Sequence, residues 1–169
     1  MAKLGVTKYG AEVLRNVAQP VEEINNEIKG IISNMLDTLY ASEGIGLAAP
    51  QIGIPKRIIV VDINPSDPSS KPIVMINPSI VDQQGQIEFE EGCLSVPDVR
   101  GNVKRAEKIT VEAIDADGNK IRIEASDMLA RVVQHEIDHL NGKLFIDHLS
   151  RIKQQLIKKQ LRKIQSESS

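Results

Sequence analysis

Between Val21 and Tyr40 apolar side chains recur at steps of three and four (Ile24, Ile28, Ile31, Ile32, Met35, Leu36, Leu39), the spacing of one buried helix face. Asn25 or Asn26 can cap the regular part of this helix. The stretch Ser42 to Gly46 should end it, with Gly44 suited to a left-handed C-terminal position. A glycine-rich loop follows. Residues 56–63, 72–81 and 86–90 then read as short β-segments punctuated by Pro and Gly. Residues 108–114 and 119–124 alternate with period two about Asp-Ala-Asp-Gly, the pattern of a β-hairpin. Helical spacing returns after Ser126, a suitable N-cap, and runs to about Asn141, where Gly142 stops it. On that helix Leu129, Val133, Ile137 and Leu140 form the buried arc. His135 and His139 lie at its edge, and Arg131, Gln134, Asp138 and Asn141 face the other way. From residue 150 onward Ile152, Leu156, Ile157, Leu161 and Ile164 are expected to line one side of a last helix, followed by a polar tail over 166–169.

Composition narrows the class. Ile, Val and Leu number 23, 14 and 12 of 169 residues, enough aliphatic material for a packed core, and the length fits a single domain over 1–169. Two Tyr, two Phe and no Trp leave few stacking platforms for single-stranded nucleic acid, and no DNA-binding motif is present. No apolar run approaches the roughly 18 residues of a membrane span, and the first fifteen residues lack a signal-peptide core, so a cytoplasmic protein is expected. The net charge of −2 hides an asymmetry: residues 151–169 carry six basic groups against one acidic, the preceding 150 carry 15 against 22. Such a basic end is either a solvated face of a packed helix or a docking surface for an anionic partner.

The chemistry begins with His135-Glu136-Ile137-Asp138-His139. Histidines four apart on a helix can aim both imidazoles at one ion, with the intervening Glu136 beside it to move protons. A catalytic site needs a third protein ligand and one position left to water. A third histidine six residues on is ruled out, because Phe145 stands there; the only Glu after His139 is Glu167, in the polar terminus. Asp147 and His148 read as ordinary loop residues just past the helix end. Both remain local candidates, but the best remaining donor is Cys93, the sole cysteine, set between Gly92 and Leu94 where the chain must bend tightly. Its thiolate lowers the charge of a divalent site to +1, so water there is acidified less than beside three neutral imidazoles and Glu136 must assist. In Gly44-Ile-Gly-Leu-Ala-Ala-Pro-Gln-Ile-Gly53 the small residues let backbone approach a neighbour closely, and the Gln51 carboxamide can donate to an oxygen that gains charge.

Taken together, GIGLAAPQIG at 44–53, EGCLS at 91–95 and QHEIDH at 134–139, in this order and with these gaps, resemble the three signature motifs of the peptide deformylases. VLRNVAQPVEEIN, RIIVVDI, the INP at 76–78, RAEK at 105–108 and LFIDHL extend the likeness over about residues 10–165. With the element pattern, the expected fold is α+β: short antiparallel sheets packed around a central helix bearing HEIDH, with an N-terminal amphipathic helix and a basic C-terminal helix over 150–165. The resemblance implies removal of the formyl group from the formyl-methionine of nascent polypeptides. It implies Cys93, His135 and His139 as metal ligands, Glu136 as general base and then acid, and Gln51 with the Leu94 N–H as oxyanion donors. Gly46 would bind the substrate through its backbone, Arg100 would lie beside the peptide, and Ile45, Met128 and Val132 would form the methionine pocket. Glu91 and Arg105 would pair to fix the Cys93 loop. Arg131 stands where some relatives are apolar, and Gly10-Ala11 replaces a Pro-Asp pair common in the family. Kinship implies Fe2+, with Zn2+, Ni2+ or Co2+ as substitutes, and makes the ribosome a partner to consider for the basic helix. Two other classes compete with this reading: an HExxH metallopeptidase, and a non-catalytic binding module with a closed metal site.

Overall fold

The computed structural model describes residues 5–168. Helix α1 (Asn26–Ala41) is followed by strands β1 (Gly46–Ala48), β2 (Ile58–Val61), β3 (Ile73–Gln84), β4 (Ile87–Cys93), β5 (Val96–Arg105), β6 (Lys108–Ile114) and β7 (Lys120–Ser126). Helices α2 (Asp127–Leu140), α3 (Arg151–Leu156) and α4 (Lys158–Ser168) complete the chain, with single 3₁₀ turns at Glu12–Leu14, Ala49–Ile52 and Phe145–His148. The strands form a five-stranded antiparallel sheet in the order β1-β2-β3-β6-β7 and a separate two-stranded β4-β5 hairpin. This is the expected α+β class.

The larger sheet is covered on both faces, which explains why β2 is the continuous apolar run Ile-Ile-Val-Val with all four side chains fully buried. Successive strand residues point to opposite faces. Ile58 and Val60 join Ile28, Ile32, Met35 and Leu39 of α1, whereas Ile59 and Val61 join Ala130, Val133, Ile137 and Leu140 of α2. Burying a side chain of this size stabilises by about 1.5–3 kcal/mol, so the two helices are fixed on the sheet by their apolar stripes. A third cluster, Val96, Val99, Val103, Phe145, Leu149, Ile157 and Ile164, seats the chain's end against the β4-β5 hairpin.

Several local expectations differ from the structure. The Asn25 side chain caps α1 by accepting from the Ile28 N–H, but the left-handed residue after the helix is Glu43 (φ 58°), not Gly44. The Gly44 N–H reaches Leu39 O and the Glu43 N–H reaches Tyr40 O, a Schellman pattern in which Glu43 holds the turn position. Ser126 precedes α2 without a side-chain cap bond; the strand turns into the helix at Asp127, φ 53°. Gly142 does end α2, at φ 75°. Gln134, expected outward, is buried and hydrogen-bonds both backbone groups of Ala106. The expected helix from residue 150 is broken at Ile157, and α4 runs on into the expected tail as far as Ser168. At about 100° per residue, positions 157, 161 and 164 share a face that 152 and 156 do not. Ile157 and Ile164 are buried accordingly, while Ile152 and Leu156 are 72% and 71% exposed. Strand β5 was not evident from the sequence at all. Its inward positions Val99, Gly101, Val103 and Arg105 include a glycine and a charge, which disguise the alternation.

Candidate functional site

Cys93 ends β4 at a two-residue turn, Leu94-Ser95, across which it pairs with Val96. The hairpin brings its sulfur over α2, where His135 and His139 occupy successive turns. The ligand atoms of Cys93, His135 and His139 all lie within 4.8 Å of one another, and Cys93 Sγ is 3.5 Å from His139 Nε2. His135 Nδ1 is 2.9 Å from Glu91 Oε1, which leaves Nε2 as its free donor atom toward the sulfur. Burial alone would raise the Cys93 thiol, but the charge of His139 and hydrogen bonds from His135 and His139 hold it well below its ordinary value. A soft thiolate with two imidazoles fits a first-row divalent cation.

Behind the histidines lies a chain of charges, buried at Arg105 and Glu91 and reaching the surface through Asp138 and His148. Arg105 donates from Nε and Nη2 to the two oxygens of Glu91, both at 2.9 Å, and from Nη1 to Asp138 at 2.7 Å. Asp138 in turn contacts His148 Nε2 at 2.8 Å. Burial opposes both carboxylates, yet the hydrogen bonds from Arg105 and His135 hold Glu91 down at about 2, and those from His148 and Arg105 hold Asp138 at about 2. One guanidinium thereby ties β5 to the strand that carries Cys93 and to the helix that carries both histidines. The expected Glu91–Arg105 pair is present; the extension to Asp138 and His148 is additional.

Glu136 faces the other way. It is 4% exposed, its Oε1 has no hydrogen-bond partner, and burial raises its carboxyl above the usual range. A Cβ placed on Gly46 would come within 2.6 Å of Glu136 Oε2 and 2.8 Å of Val132 Cγ1, so any larger residue there would have to push the carboxylate and the valine back. Gln51 is held by the Ala48 N–H donating to its Oε1 at 2.9 Å, and its Nε2 lies 3.5 Å from Cys93 Sγ and 3.3 Å from Ser95 Oγ.

A cleft of about 730 Å³ opens onto these groups. Gln51, Cys93, His135 and Glu136 line it, as do Ile45, Gly46, Leu94, Met128 and Val132, so the residues expected to bind substrate converge on one cavity. His139 lies behind it, fully buried. Arg100 is at the rim and pairs with Glu90 at 3.1 Å. The Arg131 guanidinium stacks 3.7 Å from the Phe89 ring centroid, so a charged residue forms part of the wall through its flat face. Asp147 and His148 do not join the ligand cluster: Asp147 pairs with Arg15 at 2.6 Å.

A sequence profile described as polypeptide deformylase matches residues 3–155. The chain belongs to the polypeptide deformylase family. A peptide deformylase of Thermodesulfovibrio yellowstonii is 48% identical over 96% of this chain and 98% of its own. The crystal structure of a peptide deformylase from Legionella pneumophila superposes with a TM-score of 0.91 at 44% identity, covering 98% of this chain and 96% of that one. A plant peptide deformylase gives 0.93 at 30% identity, covering 99% and 91%. With this kinship goes deformylase activity: the protein is an enzyme of that family. Among the described residues no helix is long and apolar enough to cross a membrane. Sequence reasoning missed Ser95, Lys8 and Phe89 around the cleft and Asp138 behind it. Asp138 was visible inside the HEIDH motif, but nothing local marks a residue that acts on a buried arginine from another element.

Proposed function

We propose that the chain removes the formyl group from the N-terminal formyl-methionine of nascent polypeptides, releasing formate, with one divalent cation held by Cys93 Sγ, His135 Nε2 and His139 Nε2. The observation that carries this reading is a buried carboxylate, Glu136, with an unpartnered oxygen, beside a Cys-His-His cluster at one end of a cleft. A bound cation supplies Lewis acidity, polarising the formyl carbonyl and making water a better nucleophile. Fe2+ is the expected cation by kinship, and Zn2+, Ni2+ or Co2+ suit the same donors.

Glu136 takes a proton from the attacking water as oxygen bonds to the formyl carbon. Its raised protonation range keeps that proton ready for the leaving nitrogen as the C–N bond breaks. Gln51 Nε2 and the Leu94 N–H stabilise the developing oxyanion. Gly46 hydrogen-bonds the peptide backbone, Ile45, Met128 and Val132 receive the methionine side chain, and Arg100 lies along the emerging peptide. A formyl carbon bears only hydrogen, so the close approach of β1 to Glu136 admits it and excludes bulkier acyl groups. No observation favours the peptidase or the closed structural site. The whole chain, 1–169, acts as one catalytic unit in the cytoplasm, and the basic α3-α4 segment docks it near the ribosome.

Formate release from a formyl-Met-Ala-Ser peptide tests the reading. Wild-type protein loaded anaerobically with Fe2+ should turn over, and Glu136→Gln should lose at least about 10²-fold. Turnover of Glu136→Gln near wild type, or cleavage of the unformylated peptide instead, would overturn it. Unchanged ribosome pelleting after charge reversal of the six basic residues at 151–163 would remove the docking role.

A further inference from the structure

The two oxyanion donors assigned above sit on different sheets. Gln51 hangs from β1 of the five-stranded sheet, and Leu94 is in the turn of the β4-β5 hairpin. The side-chain links between these loops are the long contacts from Gln51 Nε2 to Ser95 Oγ and Cys93 Sγ, 3.3 and 3.5 Å. They weaken when that carboxamide turns to a substrate oxygen. A third segment spans the gap. The Thr7 N–H donates to Gln51 O at 2.6 Å and Thr7 Oγ1 donates to Pro50 O at 3.0 Å. One and two residues later, Lys8 Nζ donates to Leu94 O at 3.0 Å and the Tyr9 N–H donates to Ser95 O at 2.8 Å. Both carbonyls of the two-residue turn beside the thiolate are thus held by residues 8 and 9, while residue 7 holds the backbone of Gln51.

We propose that Thr7–Tyr9 is a strap that sets the separation of the two oxyanion donors, and that Lys8, a cleft-lining side chain, is the positioning residue that fixes the Leu94 peptide. The inference rests on the deformylase reading and deepens it. Lys8 acts through Leu94 rather than on the substrate. Oxyanion stabilisation is realised in the transition state, so loosening the strap acts on kcat and leaves ground-state binding alone. Misplacement by a fraction of an ångström costs less than deleting a donor, whose loss is worth about 10²- to 10³-fold.

The test uses the full chain and the variants Lys8→Met and Lys8→Arg, with formyl-Met-Ala-Ser turnover and amide hydrogen exchange at Leu94 and Ser95. Lys8→Met should lower kcat about tenfold with KM changed less than about twofold and metal content unchanged, and its turn amides should exchange faster. Lys8→Arg, which can still reach the carbonyl, should recover most of both. Unchanged kcat and exchange in Lys8→Met, or a loss carried by KM, would overturn the strap. If the wild type releases no formate the function reading fails, and the exchange rates at Leu94 and Ser95 still decide the strap.

Discussion

Replacing Gly46 by alanine puts one methyl group into the tightest contact of the cleft. The added Cβ meets Glu136 Oε2 at 2.6 Å and Val132 Cγ1 at 2.8 Å, where ordinary contact begins at 3.4 Å. The carboxylate must therefore retreat by about 0.8 Å and the valine by about 0.6 Å, because β1 is held in register by β2 at Gly46↔Val61. Gly46 does not have a positive φ, so the backbone accepts alanine and the fold survives. Overpacking of this kind costs about 1–3 kcal/mol of stability. A base displaced by close to 1 Å loses up to about 10²-fold in rate. Urea denaturation and formate release measured on one preparation separate the two effects. Gly30→Ala serves as the control, since nothing lies within 4 Å of its added Cβ and the helix should gain up to about 1 kcal/mol. Turnover of Gly46→Ala within twofold of wild type, with unchanged stability, would refute the steric argument.

Gly142→Ala combines a left-handed φ of 75° with a Cβ 2.5 Å from Arg15 O, so urea denaturation should show a loss of at least about 2 kcal/mol. Arg105→Met leaves Glu91 buried, and Asp138 half-buried, without their shared cation; a loss of about 3–5 kcal/mol by denaturation and about 10- to 100-fold weaker metal retention in a chelator competition are expected. Tyr40, raised to about 12 by burial and by its hydrogen bond to Asp62, stabilises the fold in its neutral form, a contribution present below pH 10 and lost as pH rises toward 12. Asp62 has the opposite sign: burial raises it, but hydrogen bonds from Ser70, Tyr40 and the Asn64 N–H win, so its contribution holds above the ordinary carboxylate range and is lost in acid. Denaturation of Tyr40→Phe across pH 9–12 should be flatter than wild type; parallel curves would count against this assignment.

How legible these features were depended on the range of the forces behind them. The α1 stripe, the Asp-Ala-Asp-Gly hairpin and the HEIDH helix are set by neighbours within four residues, and the hairpin strands match their expected limits at 108–114 and within two residues at 120–126. The Cys-His-His set could be reasoned out because the chain has one cysteine and three histidines, two of them four apart on one helix. The features that were hidden depend on distant partners. β5 became recognisable only when Arg105 was seen to be satisfied inside by Glu91 and Asp138, since a charge at an inward position otherwise argues against a strand. At the break Ile157 is buried in one cluster with Leu149 and Phe145, and the Thr7–Tyr9 contacts reach across 43 and more residues.

The distribution of satisfied and unsatisfied groups along α2 carries a functional meaning that no single distance conveys. Asp138 and His135 are locked through Arg105 and Glu91 by charge-assisted hydrogen bonds, the kind of support that fixes a ligand's ring orientation. One residue after His135 along the helix, Glu136 is as buried as these groups, yet no protein group hydrogen-bonds its Oε1. A helix selected for stability alone would place an apolar side chain there. That oxygen is left for a partner from the cleft, so the same helix holds its ligands rigidly and keeps its base open to what the cleft receives. The one-residue offset between His135 and Glu136, about 100° of rotation, is what separates these two demands.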